Sequence, residues 1–353
     1  MQNSDGHAGS RRLRRFGSVL VTLACLAVLL KIANFQDLTA IILSANIVLV
    51  LAAVLFRAAD RLVMIAKWFP LLRVQVPRVT FITAARGYVA SGIAHYLLPF
   101  SVGADVVRAT TLGRDEQSIH GVSASIIAER LLGMAATGIL CMVALLIAMR
   151  ASVDLTVLFP WAGLAITLGL LALLAPLVGP FADPVLRWLG RFRHRPAAGF
   201  LERLAIAYRA YRNHGELLFR VGMISVAEQL FPVIIAGTVA LSLGIVVSLP
   251  MLLVAVPLAL FAARLPLSIG GIGVAEGAMV YLLGLFGIPM EQALALSLVI
   301  RAVDIFVVAV PGALLWQHLL GASQVDELSS DTDAAGSSAA AQARVSETTP
   351  TTA

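Results

Sequence analysis

The sequence predicts an all-α polytopic membrane protein, with about six full transmembrane helices and two broken or re-entrant hairpins that form an inverted repeat. Three observations predict it. Hydrophobic residues make up 59% of the chain and charged residues only 13%, with mean hydropathy +0.91. Soluble domains run at about 45–50% apolar and about 25% charged. Several apolar runs approach or exceed the roughly 20 residues that cross a bilayer. Finally, Leu98-Pro99-Phe100-Ser101-Val102-Gly103-Ala104 returns as Leu265-Pro266-Leu267-Ser268-Ile269-Gly270-Gly271. Paired Pro/Gly breaks at matching places in two halves of a membrane protein point to a transport site.

Residues 1–15 form a basic N-terminus with Arg11, Arg12, Arg14 and Arg15. The run behind them is about a span long and lacks a small-residue cleavage site, so it reads as an uncleaved first helix. Spans are expected at 16–35 and 38–56. Residues 57–80 mix Arg57, Arg61, Lys67, Arg73 and Arg78 with aromatics, a pattern suited to a helix lying at the interface. Residues 81–98 are apolar and end at the first break. Spans follow at 119–149 and 157–181. The loop 182–216 carries Arg187, Arg191, Arg193, Arg195, Arg203, Arg209 and Arg212. Its Phe200, Leu201, Leu204 and Tyr208 share one helical face, the mark of a second interfacial helix. A span at 217–243, a broken apolar stretch at 250–287 and a last span at 291–319 complete the set. The repeat elements are 81–149 and 250–319. Residues 320–353 have no periodicity and read as a disordered tail.

Charge fixes the parity of the crossings. The basic stretches 1–15, 57–86 and 182–216 belong on the cytoplasmic side by the positive-inside rule. A single crossing over 81–117 would put the loop 182–216 outside. If 81–117 enters and leaves on one face, every basic stretch is cytoplasmic. The same even crossing over 250–287 puts both termini inside. The first hairpin then opens from the cytoplasm and the second from outside, with their tips meeting near the midplane. Basic residues spread over loops on one membrane face do not suit a nucleic-acid partner.

The tips are the candidate site. Non-helical backbone at membrane depth survives only when buried in protein or lining a wet cavity. Pro99 and Pro266 remove a backbone donor, and Ser101 adds a polar group. Gly103, Gly270, Gly271 and Gly273 permit conformations closed to other residues. A helix resuming after each break aims its amide ends into the gap, which suits an anion such as a lipid phosphate. The bland alternative is a pair of kinks that help packing.

Charges near the membrane interior are usually functional or paired. The candidates are Asp105, Arg108, Glu129, Arg130, Glu276, Arg301 and Asp304, with Ser268 at the second tip. Arg108, Arg130 and Arg301 would hold phosphate oxygens, which match the guanidinium fork. Asp105, Glu129 and Glu276 would balance charge. An internal salt-bridge network without a ligand is the alternative. Arg86 and Arg264 read equally as side chains snorkelling to the interface.

Enzyme signals are missing: the sequence holds no G-x-S-x-G, H-E-x-x-H or P-loop. Its six histidines are scattered without metal spacing, and only His95, beside the first tip, stands near the site. Gly271-Ile272-Gly273 has no βαβ unit around it and is a poor dinucleotide loop. No cofactor is expected. Cys25 and Cys141 lie inside apolar runs and read as small buried hydrophobes.

Several segments resemble one family. In the first half they are Arg86-Gly87-Tyr88, Leu97-Leu98-Pro99-Phe100, Gly103-Ala104-Asp105-Val106-Val107-Arg108-Ala109 and Ala128-Glu129-Arg130-Leu131-Leu132. In the second half it is the stretch from Leu265 to Gly277, which ends Gly273-Val274-Ala275-Glu276-Gly277. The family is the lysylphosphatidylglycerol synthase transmembrane region, also called flippase-like domain proteins, and the resemblance covers roughly 16–319. It implies a polytopic domain of the inner (plasma) membrane that moves lipids or lipid-linked headgroups between leaflets. Some relatives are fused to a soluble domain that transfers lysine to phosphatidylglycerol. This chain has no stretch for that domain, so synthase activity is not expected. Ala104 stands where Gly is common, and Ala275 where a basic residue often precedes the Glu, which leaves the headgroup open.

The expected function is a flippase-like protein that translocates or presents a phospholipid or lipid-linked headgroup. Its partners would be anionic or lipid-linked headgroups. One alternative is an accessory subunit of a lipid- or glycan-synthesis enzyme. Another is a membrane-embedded transferase using an acid such as Glu276.

Overall fold

The computed structural model describes residues 22, 34–97, 103–115, 118–150, 163, 167, 210–264 and 268–315. Among them every regular element is helical. In chain order they are α1 (Phe35–Leu43), α2 (Ile47–Gln75), α3 (Phe81–Gly92), α4 (Ala94–Leu97), α5 (Gly103–Asp115) and α6 (Ile119–Arg150). Then come α7 (Gly215–Glu228), α8 (Leu230–Ser242), α9 (Leu249–Arg264), a 3-10 turn (Ile269–Gly271), α10 (Val274–Gly284) and α11 (Met290–Asp304). A π-helical segment, Ile305–Ala309, continues α11 toward Leu315.

Three stretches are long and apolar enough to cross a bilayer alone: Ile119–Met149, Gly215–Ser242 and Met290–Leu315. They match the spans expected at 119–149, 217–243 and 291–319. The pair α1 and α2 makes a fourth when taken as one bent span. Two other expected spans, 16–35 and 157–181, fall almost wholly outside the described residues, as do most of the loop 182–216 and the tail 320–353. The described helices are apolar on nearly every side. Leu43, Leu55, Leu62, Leu146, Leu241 and Phe306 are exposed, as lipid-facing side chains must be.

The first part of the chain departs from expectation. The span read at 38–56 is bent by 83° between Leu43 and Ile47. Asn34 and Asn46 each cap the helix behind them: Asn34 Oδ1 accepts from the Gln36 amide at 3.1 Å and Asn46 Oδ1 from the Val48 amide at 3.0 Å. After Asn46 one helix runs unbroken for 29 residues, through Pro70. Residues 57–75 are therefore not a separate interfacial helix. Asp60, Lys67, Trp68, Leu71 and Leu72 are all buried. The physical reason is that the charges on this segment find partners inside the protein, so they need no water.

The two hairpins are present as packed helix pairs. α3 lies against α5, and α9 against α10. The second break carries three residues with positive φ: Gly270 at 58°, Gly271 at 72° and Gly273 at 83°. Gly271 has a packing reason as well, since a Cβ there would stand 2.8 Å from Ala263 Cβ. That crowding holds the returning chain against the end of α9.

Helix α6 serves as a ruler for both hairpins. At about 1.5 Å per residue its 32 residues span about 48 Å. The base of the first hairpin touches its start, where a Cβ on Gly113 would meet Ile119 Cα at 2.7 Å. The beginning of α5 is level with Glu129 and Arg130, which bond Arg108 and Asp105. The end of α9 is level with Thr137, whose hydroxyl accepts from Arg264. The hairpins thus approach from opposite ends of α6 and reach its middle. There α4 packs against the 3-10 turn, so the two tips meet.

The apolar core divides accordingly. One cluster joins Trp68, Leu72, Val76, Ala84, Leu112, Val122 and Ile126 around the first hairpin. A larger one joins Cys141, Ala144, Val239, Val254, Leu283 and Leu296 around the second. Along α6 the first cluster ends at Ile126 and the second begins at Cys141. Along α2 the second reaches Ala53 and the first resumes at Trp68. The stretches between carry charges among their apolar residues: Glu129 and Arg130 on α6, and Arg57, Asp60, Arg61 and Lys67 on α2. These charges form a layer at the level of the tips, beside a third apolar cluster of Leu71, Ala124, Ala128, Tyr211 and Val221.

Candidate functional site

The first group in this layer is built on α5 and α6. Arg108 stands one turn into α5, and Glu129 and Arg130 sit ten and eleven residues into α6. Arg108 Nη2 donates to Glu129 Oε2 at 2.8 Å and lies 3.5 Å from Asp105 Oδ1. Its guanidinium stacks over Trp68, 4.3 Å from the ring centroid, and over Tyr88 at 4.7 Å. Such cation–π contacts are worth about 2 kcal/mol or more when desolvated. The Tyr88 hydroxyl donates to the other Glu129 oxygen at 3.5 Å. Arg130 grips both Asp105 oxygens at 2.9 Å, a bidentate fork. Arg108 and Glu129 are 4% and 6% exposed, whereas the Arg130 side chain is 48% exposed. The first pair is sealed within the protein and the second opens from it.

The second group is built on the returning arm of the second hairpin. Glu276 stands at the third position of α10, and its Oε2 accepts from the Gly273 amide at 2.6 Å, capping the helix. Its Oε1 accepts from Arg301 Nε at 2.6 Å. The remaining Arg301 nitrogens point at the carbonyls of Gly270 and Gly271, at 3.4 and 3.5 Å. Arg301 therefore ties α11 to both the carboxylate and the backbone of the tip.

Asp304 joins a third group that the sequence did not suggest. Arg57 Nε donates to Asp304 Oδ1 at 2.6 Å, and Tyr96 donates to the other oxygen. Arg57 also reaches Asp60 Oδ2 at 2.7 Å, where Arg61 joins at 3.1 Å. Lys67 and Glu228 make a fourth, fully buried pair at 2.6 Å. These groups link α2 to α4, α7 and α11. Glycines let α3 come close to the end of α11: a Cβ on Gly92 would lie 2.9 Å from Val308 Cγ1, and one on Gly312 the same distance from the Val89 carbonyl oxygen. The π-helical segment lies in that crossing, directly after Asp304.

Of the sequence-predicted site residues, Asp105, Arg108, Glu129 and Arg130 thus converge at the first tip. Glu276, Arg301, Gly270, Gly271 and Gly273 converge at the second, and Asp304 sits between α2 and α4. Gly103 opens α5. Ser268 is buried at the second tip, and among the described residues its hydroxyl has no hydrogen-bond partner. Pro99, Ser101, Pro266 and the His95 side chain fall outside the described residues. Among the described residues, no group of three metal-ligating side chains comes together. The described cysteine, Cys141, is free and buried, as an apolar-run cysteine should be.

The family described as lysylphosphatidylglycerol synthase TM region matches residues 15–312, which include both hairpins and every charge above. The chain belongs to this family. No curated protein matches the chain. It is a multi-pass membrane protein of a family named for lipid synthesis, and the matched region is the membrane part.

Sequence reasoning missed Arg57, Asp60, Arg61, Lys67, Tyr88, Tyr96 and Glu228 as members of the interior network. Arg57, Arg61 and Lys67 had been grouped with the cytoplasmic basic residues. A signal was available for one pair: Glu228 is an acid placed mid-way in the apolar stretch 217–243, where a lone carboxylate demands a partner. In this lysylphosphatidylglycerol synthase TM region chain the partner is Lys67.

Proposed function

We propose that this protein handles membrane lipid, moving or presenting a headgroup between leaflets through the gap between the two hairpin tips. One observation carries the reading: charged pairs gathered where two broken hairpins, approaching from opposite ends of α6, bring their tips together. A bilayer core is about 30 Å thick, and a polar headgroup needs polar company at its middle. The pairs Arg108–Glu129 and Arg301–Glu276 anchor the tips. Asp105 and Arg130, the more exposed pair, meet the headgroup, with the glycine backbone beside them. The hairpins open from opposite membrane faces, both termini and the basic loop 182–216 lie on the cytoplasmic side, and the membrane is the plasma membrane. The working domain is 16–319.

The test is transbilayer movement in proteoliposomes. The full chain is reconstituted with fluorescent phosphatidylglycerol, and a membrane-impermeant quencher reads the outer leaflet over time. Wild-type protein should speed the exchange, and Asp105→Asn with Arg130→Gln should slow it by about tenfold, the loss of one bidentate charged contact. Absence of movement with wild-type protein, while a synthesis enzyme co-purifies from the native membrane, would put the accessory-subunit reading in its place. A new lipid species made in a naive host would mean a transferase.

A further inference from the structure

Among the described residues, the interior charges do not all pair with an opposite charge. Arg57, Arg61, Lys67, Arg108, Arg130 and Arg301 each reach a carboxylate, and the carboxylates Asp60, Asp105, Glu129, Glu228, Glu276 and Asp304 are all taken. Arg264 is left over. It is the last residue of α9, fifteen residues from Leu249 and so about 23 Å along that helix. It is exposed at the second tip, and its one hydrogen bond among the described residues goes to the Thr137 hydroxyl. Arg130 stands close enough to repel it, and Glu228, close enough to attract it, is held by Lys67 at 2.6 Å. Arg86 also lacks a carboxylate among the described residues, but it lies only five residues into α3, where a long side chain reaches the interface. Arg264 has no such exit.

An uncompensated cation at membrane depth is costly unless something negative meets it. A second observation lies at the same tip. Ser268, 4% exposed, has a hydroxyl with no partner among the described residues, in a position where buried hydroxyls are almost always bonded. We propose that Arg264, with Thr137 and Ser268, forms a binding site for one phosphate monoanion, the phosphodiester of a phospholipid headgroup or a free phosphate. One phosphodiester carries one negative charge, which matches the one interior guanidinium at the tips that has no carboxylate among the described residues. The guanidinium fork fits two phosphate oxygens, and the hydroxyl of Ser268 donates to a third. Arg130 adds attraction from α6. The site gives the lipid-handling reading its ligand class, and rests on that reading for the lipid as its source.

Binding and movement are measured separately on the full chain. Native mass spectrometry counts dioleoyl phosphatidylglycerol and uncharged dioleoylglycerol retained by purified protein. Wild type should hold one phosphatidylglycerol and little dioleoylglycerol. Arg264→Gln should lower phosphatidylglycerol retention by about tenfold or more, the loss of one charge-assisted contact. Arg264→Lys should restore part of it, and Ser268→Ala should weaken it several-fold with folding intact. Displacement by excess inorganic phosphate would support the site with a soluble anion as its source; retention against phosphate would support it with the lipid. Equal retention by wild type and Arg264→Gln, or equal retention of both lipids by wild type, overturns the site. Arg264-dependent binding without transbilayer movement supports the site and overturns the transport reading. Movement with binding indifferent to Arg264 does the reverse.

Discussion

Replacing Glu276 with alanine is expected to undo the second hairpin tip and to cost more stability than any other single change at that tip. Two losses coincide. The Gly273 amide loses its cap, worth about 1 kcal/mol. Arg301 loses its carboxylate and remains in the interior as an uncompensated charge, a penalty on the order of 3–5 kcal/mol. Both follow from the loss of one carboxylate, whose two oxygens serve the amide and the guanidinium. Glu276→Gln keeps an acceptor for the amide but not the charge, so it should fall between alanine and wild type. Thermal unfolding of the full chain in detergent reads all three. An alanine variant that melts with wild type would mean that the tip does not depend on this residue.

Arg108→Ala is expected to have a similar effect at the first tip. It strands Glu129 at 6% exposure and empties the space between Trp68 and Tyr88. Breaking such a buried pair costs about 3–5 kcal/mol, and the lost stacking adds about 2 kcal/mol. Arg108→Lys should rescue poorly, because an ammonium cannot stack flat over two rings while bonding a carboxylate. Arg108→Met combined with Glu129→Gln should be much milder than Arg108→Ala, since it removes the charge along with its partner. Unfolding midpoints and the fluorescence of Trp68 report the difference. A rescue by lysine equal to wild type would show that the point charge alone matters here.

These two positions were legible in the sequence because their surroundings repeat. Pro99 and Pro266, the glycines after them and the charges after those mark both tips without any structure. The spans 119–149, 217–243 and 291–319 were legible for the reason membrane helices usually are: nothing but a helix satisfies that much apolar backbone in lipid. The segment 57–75 was not. Arg57, Arg61 and Lys67 in a row of turns carry the same local signal as a cytoplasmic interface. Asp60 is a near partner of Arg57 and Arg61, but the acids that tie the segment to other helices lie 247 residues from Arg57 at Asp304 and 161 from Lys67 at Glu228, too far for any sequence pattern to join. Arg264 was unreadable for the converse reason. Snorkelling and an interior site predict the same residue at the end of the same helix. Only the pairing of every neighbouring charge separates them. The bend at Asn46 could have been read from the asparagine cap, but a cap inside an apolar run is easily passed over as a tolerated polar residue.

The most direct test of the opposed hairpins is single-cysteine labelling from each side of the membrane. In a Cys25→Ala, Cys141→Ala background, Ser118→Cys marks the base of the first hairpin and Ser248→Cys the base of the second. Ser118 follows α5 and Ser248 precedes α9, so both lie at the far ends from the tips. Intact cells and inverted vesicles are treated with a membrane-impermeant maleimide. The account predicts that Ser118→Cys labels from the cytoplasmic side alone and Ser248→Cys from the outer side alone. Labelling of both from the same side would contradict opposed hairpins, and with them the passage proposed between their tips.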